Sequence, residues 1–279
     1  MVNRFQTTSK KHQRSSEKTQ TLFFRRPHPM QNSSIPQDWN VYFSRIGDAP
    51  AALRINLALI EVAPLAEYPQ HVRVSMKLEQ INEHGFPTPE ESEAVYDIED
   101  QIDRLAGNDN VPAGIVTTNG AANWHFYSRN AEAFAQACRT LLTQNDRVCD
   151  IKISEDAEWS FYQEFLYPDR YELQAIRNEQ VLRRFRQDGD RLEQPRPIDH
   201  WLFFHTEADL NAAAAKVGTL GYTVSDSGRI EHEEDHPSYR LQLSKNAPLT
   251  DIDNDTWELI DIAYENNGDY DGWGSILVQ

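Results

Sequence analysis

One segment of the chain carries the residue string of a zinc protease, His232-Glu233-x-x-His236. That chemistry requires both histidines on one face of a helix, with the glutamate beside the metal-bound water. A helix is not expected here, because Gly228 precedes the string, Pro237 follows it directly and predicted strands flank it. We therefore interpret the segment as an acidic hairpin loop and not as a protease site.

Three aspartates at alternate positions, Asp251, Asp253 and Asp255, imitate the start of a calcium-binding loop. Such a loop needs a glycine at its sixth position and a bidentate glutamate at its twelfth, where this chain has Thr256 and Ile262. Both requirements fail. The aspartates are better explained by the favourable interaction of negative charge with the first turn of a helix.

Histidines beside aromatic residues on predicted strands are the remaining candidates for chemistry. We interpret His125, His200 and His205 as structural histidines with satisfied hydrogen bonds. The sequence contains no phosphate-binding loop, nucleophile elbow or pair of catalytic carboxylates, so we predict no catalytic residue, cofactor or metal. The alternative is an enzyme, either a metal-dependent hydrolase at the zinc-like string or a site around His125 and Glu99.

The net charge of −17 over 279 residues is unevenly distributed. The first 36 residues hold seven Lys and Arg against one Glu, a balance of +6. The remaining chain holds 20 Lys and Arg against 43 Asp and Glu, a balance of −23. A body this acidic repels phosphate backbones, so direct nucleic-acid binding is disfavoured and a basic protein partner is favoured.

The basic first 36 residues are rich in Ser, Thr, Gln and Lys and lack hydrophobic periodicity, which predicts a disordered tail. A transit peptide or a translation start at Met30 is an alternative explanation of this tail. No secretory signal and no membrane span are predicted, because the longest apolar runs are far too short. Cys138 and Cys149 form no CxxC pattern, so we expect buried thiols and a reducing cytoplasm.

Strand and helix signals predict an α+β chain of two domains, the first an antiparallel sheet with packed helices over residues 37–165. The segment 72–78 alternates with a period of two, as in a strand with one solvated face. Thr88 followed three residues later by Glu91 predicts a helix with a capping box, and Leu105 is expected on its buried face. Further predictions are strands at 38–43, 51–62, 115–118, 124–127 and 150–154, a hairpin turn at 119–122 and a helix at 131–143.

The second domain is predicted over residues 169–279 and begins with a helix at 170–187 capped by Asp169. Strands and helices then alternate as βαββαβ, which folds most simply as a ferredoxin-like sandwich. Thr206 and Thr250 are the expected N-caps of its two later helices. The predicted strands are 199–205, 222–225, 239–244 and 273–278, with helices at 207–220 and 251–267.

Near the end of the chain, two glycines bracket a tryptophan in the segment Tyr270-Asp-Gly-Trp-Gly-Ser275. Glycine is used where the backbone needs a positive φ or a close approach that a Cβ would block. A tryptophan held between such residues is a packing anchor or a recognition contact, and a poor element for acid–base chemistry.

Five segments of the second domain match one known family in order and spacing. They are Asp188-Gly189-Asp190, Ile198-Asp199-His200-Trp201-Leu202, Asp209-Leu210, Leu220-Gly221-Tyr222-Thr223-Val224 and 269–275. By these segments the second domain resembles the RraB family, whose best-known member is a protein inhibitor of ribonuclease E. This resemblance implies an α/β sandwich and an acidic cytoplasmic protein without catalysis. It also implies binding to the C-terminal scaffold region of the ribonuclease, which changes the set of transcripts that are cut.

The first domain also carries a recognisable set of residues. They are Trp39 and Tyr42, Pro64, Tyr68-Pro69, Gly85-Phe86-Pro87, Glu90-Glu91, Ile98-Glu99-Asp100, and Gly120 leading to Trp124-x-Phe126-Tyr127. By these residues the first domain resembles the bacterial domain of unknown function 695 family, which implies a fold and no activity.

These observations together predict a non-catalytic regulator that binds a protein partner, with a ribonuclease E-type enzyme as the partner implied by the resemblance. A structural or immunity-type interaction protein is the alternative. The predicted partner-binding or structural residues are Tyr270, Asp271, Gly272, Trp273, Gly274, His200 and Trp201.

Overall fold

The structure, a computed structural model, describes residues 35–230 and 239–279. The expectations for the basic tail and for the zinc-like string lie outside the described residues, apart from residues 35 and 36. Within those two ranges, no helix is long and apolar enough to span a bilayer. Two antiparallel sheets with helices packed on them give the chain an α+β architecture.

The first sheet has six strands in the order β1-β2-β4-β5-β3-β6, and every neighbouring pair is antiparallel. Helices α1 and α2 cover one face, and the segment after β6 covers part of the other. The elements are β1 Trp39–Ile46, β2 Ala49–Asn56, β3 Gln70–Lys77, α1 Pro89–Ala106, β4 Asn110–Thr118, β5 Ala121–Ser128, α2 Ala131–Gln144 and β6 Cys149–Glu155.

Strand β3 shows how the sequence divides the two faces of this sheet. Val72, Val74 and Met76 point into the core beneath α1 and α2. His71 and Arg73 alternate with them and therefore lie on the opposite face. The first sheet is thus apolar on its helical face and partly polar on the other.

The hairpin between β4 and β5 confirms the predicted turn. Asn119 and Gly120 form its two-residue loop and both have positive φ, 50° and 70°. This is the backbone of a type I′ turn, for which Asn-Gly is the preferred pair.

Helix α1 begins as predicted but lacks the predicted capping box. The Thr88 side chain accepts from the Glu91 backbone N–H at 3.3 Å. The Glu91 carboxylate is buried and binds the Arg147 guanidinium at 2.8 Å, and the Thr88 N–H donates to the Gln80 carbonyl instead, so only the return bond of the box is missing. Leu105 was also wrongly placed, because its side chain is 42% exposed while Ala106 takes the buried position.

The second sheet has four strands in the order β10-β7-β9-β8, again all antiparallel. Helices α3, α4 and α5 all pack on one side, the inner face, which carries Ile198, His200, Leu202 and Phe204 of β7. The elements are α3 Arg170–Gln187, β7 Arg196–Phe204, α4 Glu207–Val217, β8 Thr223–Arg229, β9 Tyr239–Ala247, α5 Ile252–Glu265 and β10 Gly268–Ser275.

Two boundary predictions in this part of the chain are wrong. The last strand spans Gly268–Ser275 and not 273–278, because the glycine-containing segment itself pairs with β7. Helix α5 starts at Ile252 after a 3-10 turn at Leu249–Asp251, so Thr250 is not its N-cap.

Helix α3 agrees with its prediction and links the two sheets. Asp169 caps it, and Glu172 returns a bond to the Asp169 N–H, which completes a capping box. Ile176 belongs to the core on the first sheet, whereas Leu182 belongs to a core on the second. The division into domains at 165–169 stays a prediction, and α3 contributes to both sides of it.

A buried acidic cluster lies between α1 and the first sheet. Glu99 forms an ion pair with Arg54 of β2, and both side chains are buried. Asp103 lies one turn further along α1, and its Oδ2 is buried without a hydrogen-bond partner among the described residues. Burial, and then the charge of Glu99, raise the pKa of Asp103 to about 7.

We expect Asp103→Asn to raise the free energy of unfolding at pH 8 by about 2 kcal/mol, because it removes a buried charge. The pKa of Asp103 is higher in the folded state than in the unfolded chain. The free-energy cost of the ionised Asp103 therefore grows as the pH rises from the pKa in the unfolded chain to the pKa in the folded state. The advantage of the variant should shrink as the pH falls towards 5. Urea unfolding at pH 8 and pH 5.5 measures this.

Asp97→Asn, on the exposed side of the same helix, is the matched control and should change the free energy of unfolding little at either pH. If Asp103→Asn raised the free energy of unfolding equally at both pH values, the charge of Asp103 would not be the source of the stabilisation.

Candidate functional site

The seven predicted site residues lie together on two neighbouring strands, β7 and β10. Gly272 lies opposite Trp201, Trp273 lies opposite His200, and Tyr270 lies opposite Leu202. The spacing along the chain did not predict this register, since about 70 residues separate the two strands.

A β-bulge between Tyr270 and Gly272 determines which way the motif faces. Residues three apart in a regular strand point to opposite faces. The extra residue, Asp271, shifts the register so that Tyr270 and Trp273 both point to the inner face. Gly272 has a φ of 150°, a value that side-chain-bearing residues rarely adopt, which explains the glycine.

On the inner face, the partly buried Tyr270 and the buried His200 form a polar pair. The Tyr270 hydroxyl and His200 Nδ1 are 2.9 Å apart. Burial, and then the charge of Lys245, lower the pKa of His200 to about 4, so the imidazole is neutral at pH 7. Its Nε2 is buried and has no hydrogen-bond partner in the described part of the chain. A neutral, enclosed imidazole of this kind holds structure and is not accessible to a substrate.

Trp273 is a packing anchor between β10 and α3. Its side chain is half-buried against the cluster that contains Leu182 and Ile198, and its ring lies 6.4 Å from that of Phe185. The indole N–H donates to Asn178 Oδ1 at 2.8 Å. A role for Trp273 in partner contact stays a prediction; its place in the structure is that of a residue that shapes the sheet.

Asn178 is the residue of this site that the sequence analysis missed. Its Nδ2 donates to Asp253 Oδ1 at 2.9 Å and to Thr256 Oγ1 at 3.0 Å. Its Oδ1 accepts from Gln174 at 2.9 Å and from Trp273. All four hydrogen bonds available to the amide are made, although the residue is fully buried. The one signal was an asparagine four residues before Leu182, on the buried stripe of α3.

The opposite side of the second sheet, the outer face, carries two half-buried aromatic side chains, Trp201 and Phe203. The Trp201 ring lies across β10, since a Cβ at Gly274 would be 3.3 Å from Trp201 Cη2. Because Gly274 has no side chain, the indole can lie close to the backbone of β10. Asp199 and Asp269 lie on the same face and give it acidic flanks.

One of the two enzyme alternatives, a site around His125 and Glu99, can be compared with the structure. Glu99 lies on the helical face of the first sheet with Arg54, whereas His125 lies on the other face beside His71. The two residues therefore do not form a common site. Across residues 35–230 and 239–279, no group of three or more His, Cys, Asp or Glu side chains is placed to hold a metal.

The aspartates of the calcium-like string have other partners. Asp253 binds Asn178, and Asp255 forms an ion pair with Lys245 at 2.7 Å. They therefore point to different elements and do not converge on one ligand.

Two family models match separate stretches of the chain. Residues 175–275 match the family model described as regulator of ribonuclease activity B, or RraB. Over these residues the chain is similar to the RraB family. Residues 37–167 match the model described as family of unknown function (DUF695). Both resemblances predicted from the sequence are confirmed, and the residues that match the RraB family model include all seven predicted site residues.

A regulator of ribonuclease activity B from Photobacterium profundum is 28% identical to this chain over 116 residues. The match covers 39% of this chain and 84% of that protein. A crystal structure of an unknown protein from Galdieria sulphuraria has 8% identity and covers 75% of this chain and 99% of that one. Its TM-score of 0.22 is too low to indicate a shared fold.

The indole hydrogen bond of Trp273 can be separated from its packing. Trp273→Phe keeps an aromatic ring but leaves Asn178 Oδ1 with one donor, so we expect it to lower the free energy of unfolding by about 1 kcal/mol. Trp273→Ala should lower it by about 3–5 kcal/mol, the usual cost of removing a large packed ring. Urea unfolding followed by circular dichroism measures both.

Trp39→Phe is the matched control, because the Trp39 indole N–H bonds to an exposed Gln37 oxygen at 2.7 Å. Trp39→Phe should change the free energy of unfolding by no more than about 0.5 kcal/mol. If the two Trp→Phe variants were equally stable, the bond to Asn178 would contribute nothing measurable.

Proposed function

We propose that this chain is a non-catalytic regulator of RNA degradation that binds a ribonuclease E-type enzyme through its RraB-family domain. The observation that carries this proposal is the match of residues 175–275 to the RraB family model. The relative from Photobacterium profundum bears the name regulator of ribonuclease activity B, which supports a regulatory role.

The fold of the binding domain is, in this proposal, a ferredoxin-like sandwich over residues 169–279. Numbered within the domain, the order β10-β7-β9-β8 places the strands as fourth, first, third and second. With two helices returning to one face between the strands, this arrangement supports the βαββαβ assignment.

The outer face of the second sheet is the surface that we assign to the partner. The described helices of this domain all cover the inner face. None of these described helices covers the outer face, which carries Trp201 and Phe203. Tryptophan and tyrosine anchors of this kind contribute much of the binding energy at protein interfaces. In this proposal, residues 270–274 act mainly by shaping the strand on which the Trp201 ring lies.

Charge favours a basic segment as the bound part of the partner. Asp199 and Asp269 flank the aromatic residues, and the chain beyond its first 36 residues has a balance of −23. An arginine or lysine can stack on the Trp201 indole while the aspartates neutralise its charge. The same acidity disfavours direct binding of RNA.

The compartment that we propose is the cytoplasm. Cys138 and Cys149 are both free thiols in the structure, and Cys138 is buried. Unpaired cysteines suit a reducing environment.

Binding to purified ribonuclease E-type enzyme from the source organism tests the proposal by calorimetry, and a cleavage assay on a model RNA reads out regulation. Trp201→Ala should weaken binding at least tenfold, as the loss of an interface anchor does. Asp269→Asn, at an exposed position, should weaken binding less and reduce its salt dependence.

Tyr264→Ala is the control, because Tyr264 is an exposed aromatic on α5, on the helical side of the same domain. It should bind as the unchanged protein does. Circular dichroism confirms that each variant is folded. If Trp201→Ala bound as tightly as the unchanged protein and binding were independent of salt, the outer face would be excluded as the binding surface. If the unchanged protein did not bind, a ribonuclease E-type enzyme would be excluded as the partner.

A further inference from the structure

The first domain contains a cavity that the proposed regulatory function does not use. Its volume is about 440 Å³, within the usual range of small-molecule sites. It lies on the face of the first sheet opposite α1 and α2, and its walls come from β3, β5 and β6 together with Phe161 and Phe165.

Two buried histidines form one wall of this cavity. His71 Nε2 and His125 Nδ1 are 3.0 Å apart, and the two rings are parallel within 3°. Phe161 stacks on both imidazoles, at 4.5 and 4.8 Å between ring centroids. Burial keeps the pKa of each histidine below its usual value, so the pair is neutral at pH 7. The wall is therefore rigid and polar but carries no charge of its own.

Two cations line the same cavity, although the body of the chain is strongly acidic. They are Arg73 and Lys152, on neighbouring strands, and none of the described residues that line the cavity is an aspartate or glutamate. Arg73 Nη2 binds the largely exposed Asp150 at 2.6 Å. The Arg73 Nε is buried and has no hydrogen-bond partner among the described residues.

A buried guanidinium N–H without an acceptor is costly, because the donor has lost its water. A carboxylate, phosphate or sulfonate oxygen in the cavity would supply that acceptor. The other walls include Ile46, Val116 and Phe165, which offer apolar surface for the rest of a ligand.

We propose that this cavity binds a small anion with an apolar body. Arg73 and Lys152 hold the anionic group, while Phe165, Ile46 and Val116 contact the apolar part. The first domain would then act as a ligand-binding module beside the RraB-family domain. The assignment does not depend on the ribonuclease, because it uses only residues of the first sheet and the segment that follows it.

A fluorescent aromatic sulfonate, anilinonaphthalene sulfonate, is a suitable probe, and the uncharged phenylnaphthylamine is its neutral counterpart. Titrated with the full chain, the sulfonate should bind at least tenfold more tightly than the neutral compound. Lys152→Gln and Arg73→Gln should each weaken sulfonate binding about tenfold, as the loss of a charge-assisted bond does, and leave the neutral compound unchanged. Phe165→Ala should weaken both compounds.

Arg139→Gln is the matched control, because it removes one exposed positive charge from α2, on the other side of the sheet. It should leave both affinities unchanged. Lys152 is exposed, so Lys152→Gln keeps the test valid even if Arg73→Gln is poorly folded. Equal affinity for the two compounds, or sulfonate binding that Lys152→Gln leaves unaltered, would overturn the proposal.

Discussion

A single buried amide, that of Asn178, holds α3 against α5 and the last strand of the second sheet. Its four hydrogen bonds reach Gln174 on the same helix, Asp253 and Thr256 on α5, and Trp273 on β10. Any movement of one element would leave a polar atom buried without a partner. Since the same helix places Ile176 in the core of the first sheet, the constraint on α3 extends to both halves of the molecule.

Local signals in the sequence were sufficient where the structure is decided locally. Asp169 and Glu172 cap α3 through backbone groups within three residues, and its predicted limits agree with the structure. The Asn119-Gly120 turn is decided by the φ angles of two residues. The last strand was misplaced because its bulge and glycines break the alternation on which strand prediction depends.

Distant contacts could not be predicted because they depend on register and packing. Glu91 had the right spacing for a local cap, but Arg147, 56 residues away, binds its carboxylate. The bond between Tyr270 and His200 requires the pairing of strands 70 residues apart. The sequence grouped the predicted site residues by resemblance and gave no reason to include Asn178, whose partners lie on distant elements.

The bulge at Asp271 makes the orientation of the motif depend on a single glycine. In a regular strand of the same length, the spacing of three residues between Tyr270 and Trp273 would turn the indole from α3 towards the outer face. The bulge contains Gly272 at a φ of 150°, which a residue with a side chain rarely adopts, whereas exchange of the exposed Asp271 keeps the indole in place. During divergence, this stretch of chain therefore tolerates substitution at Asp271 far better than at Gly272.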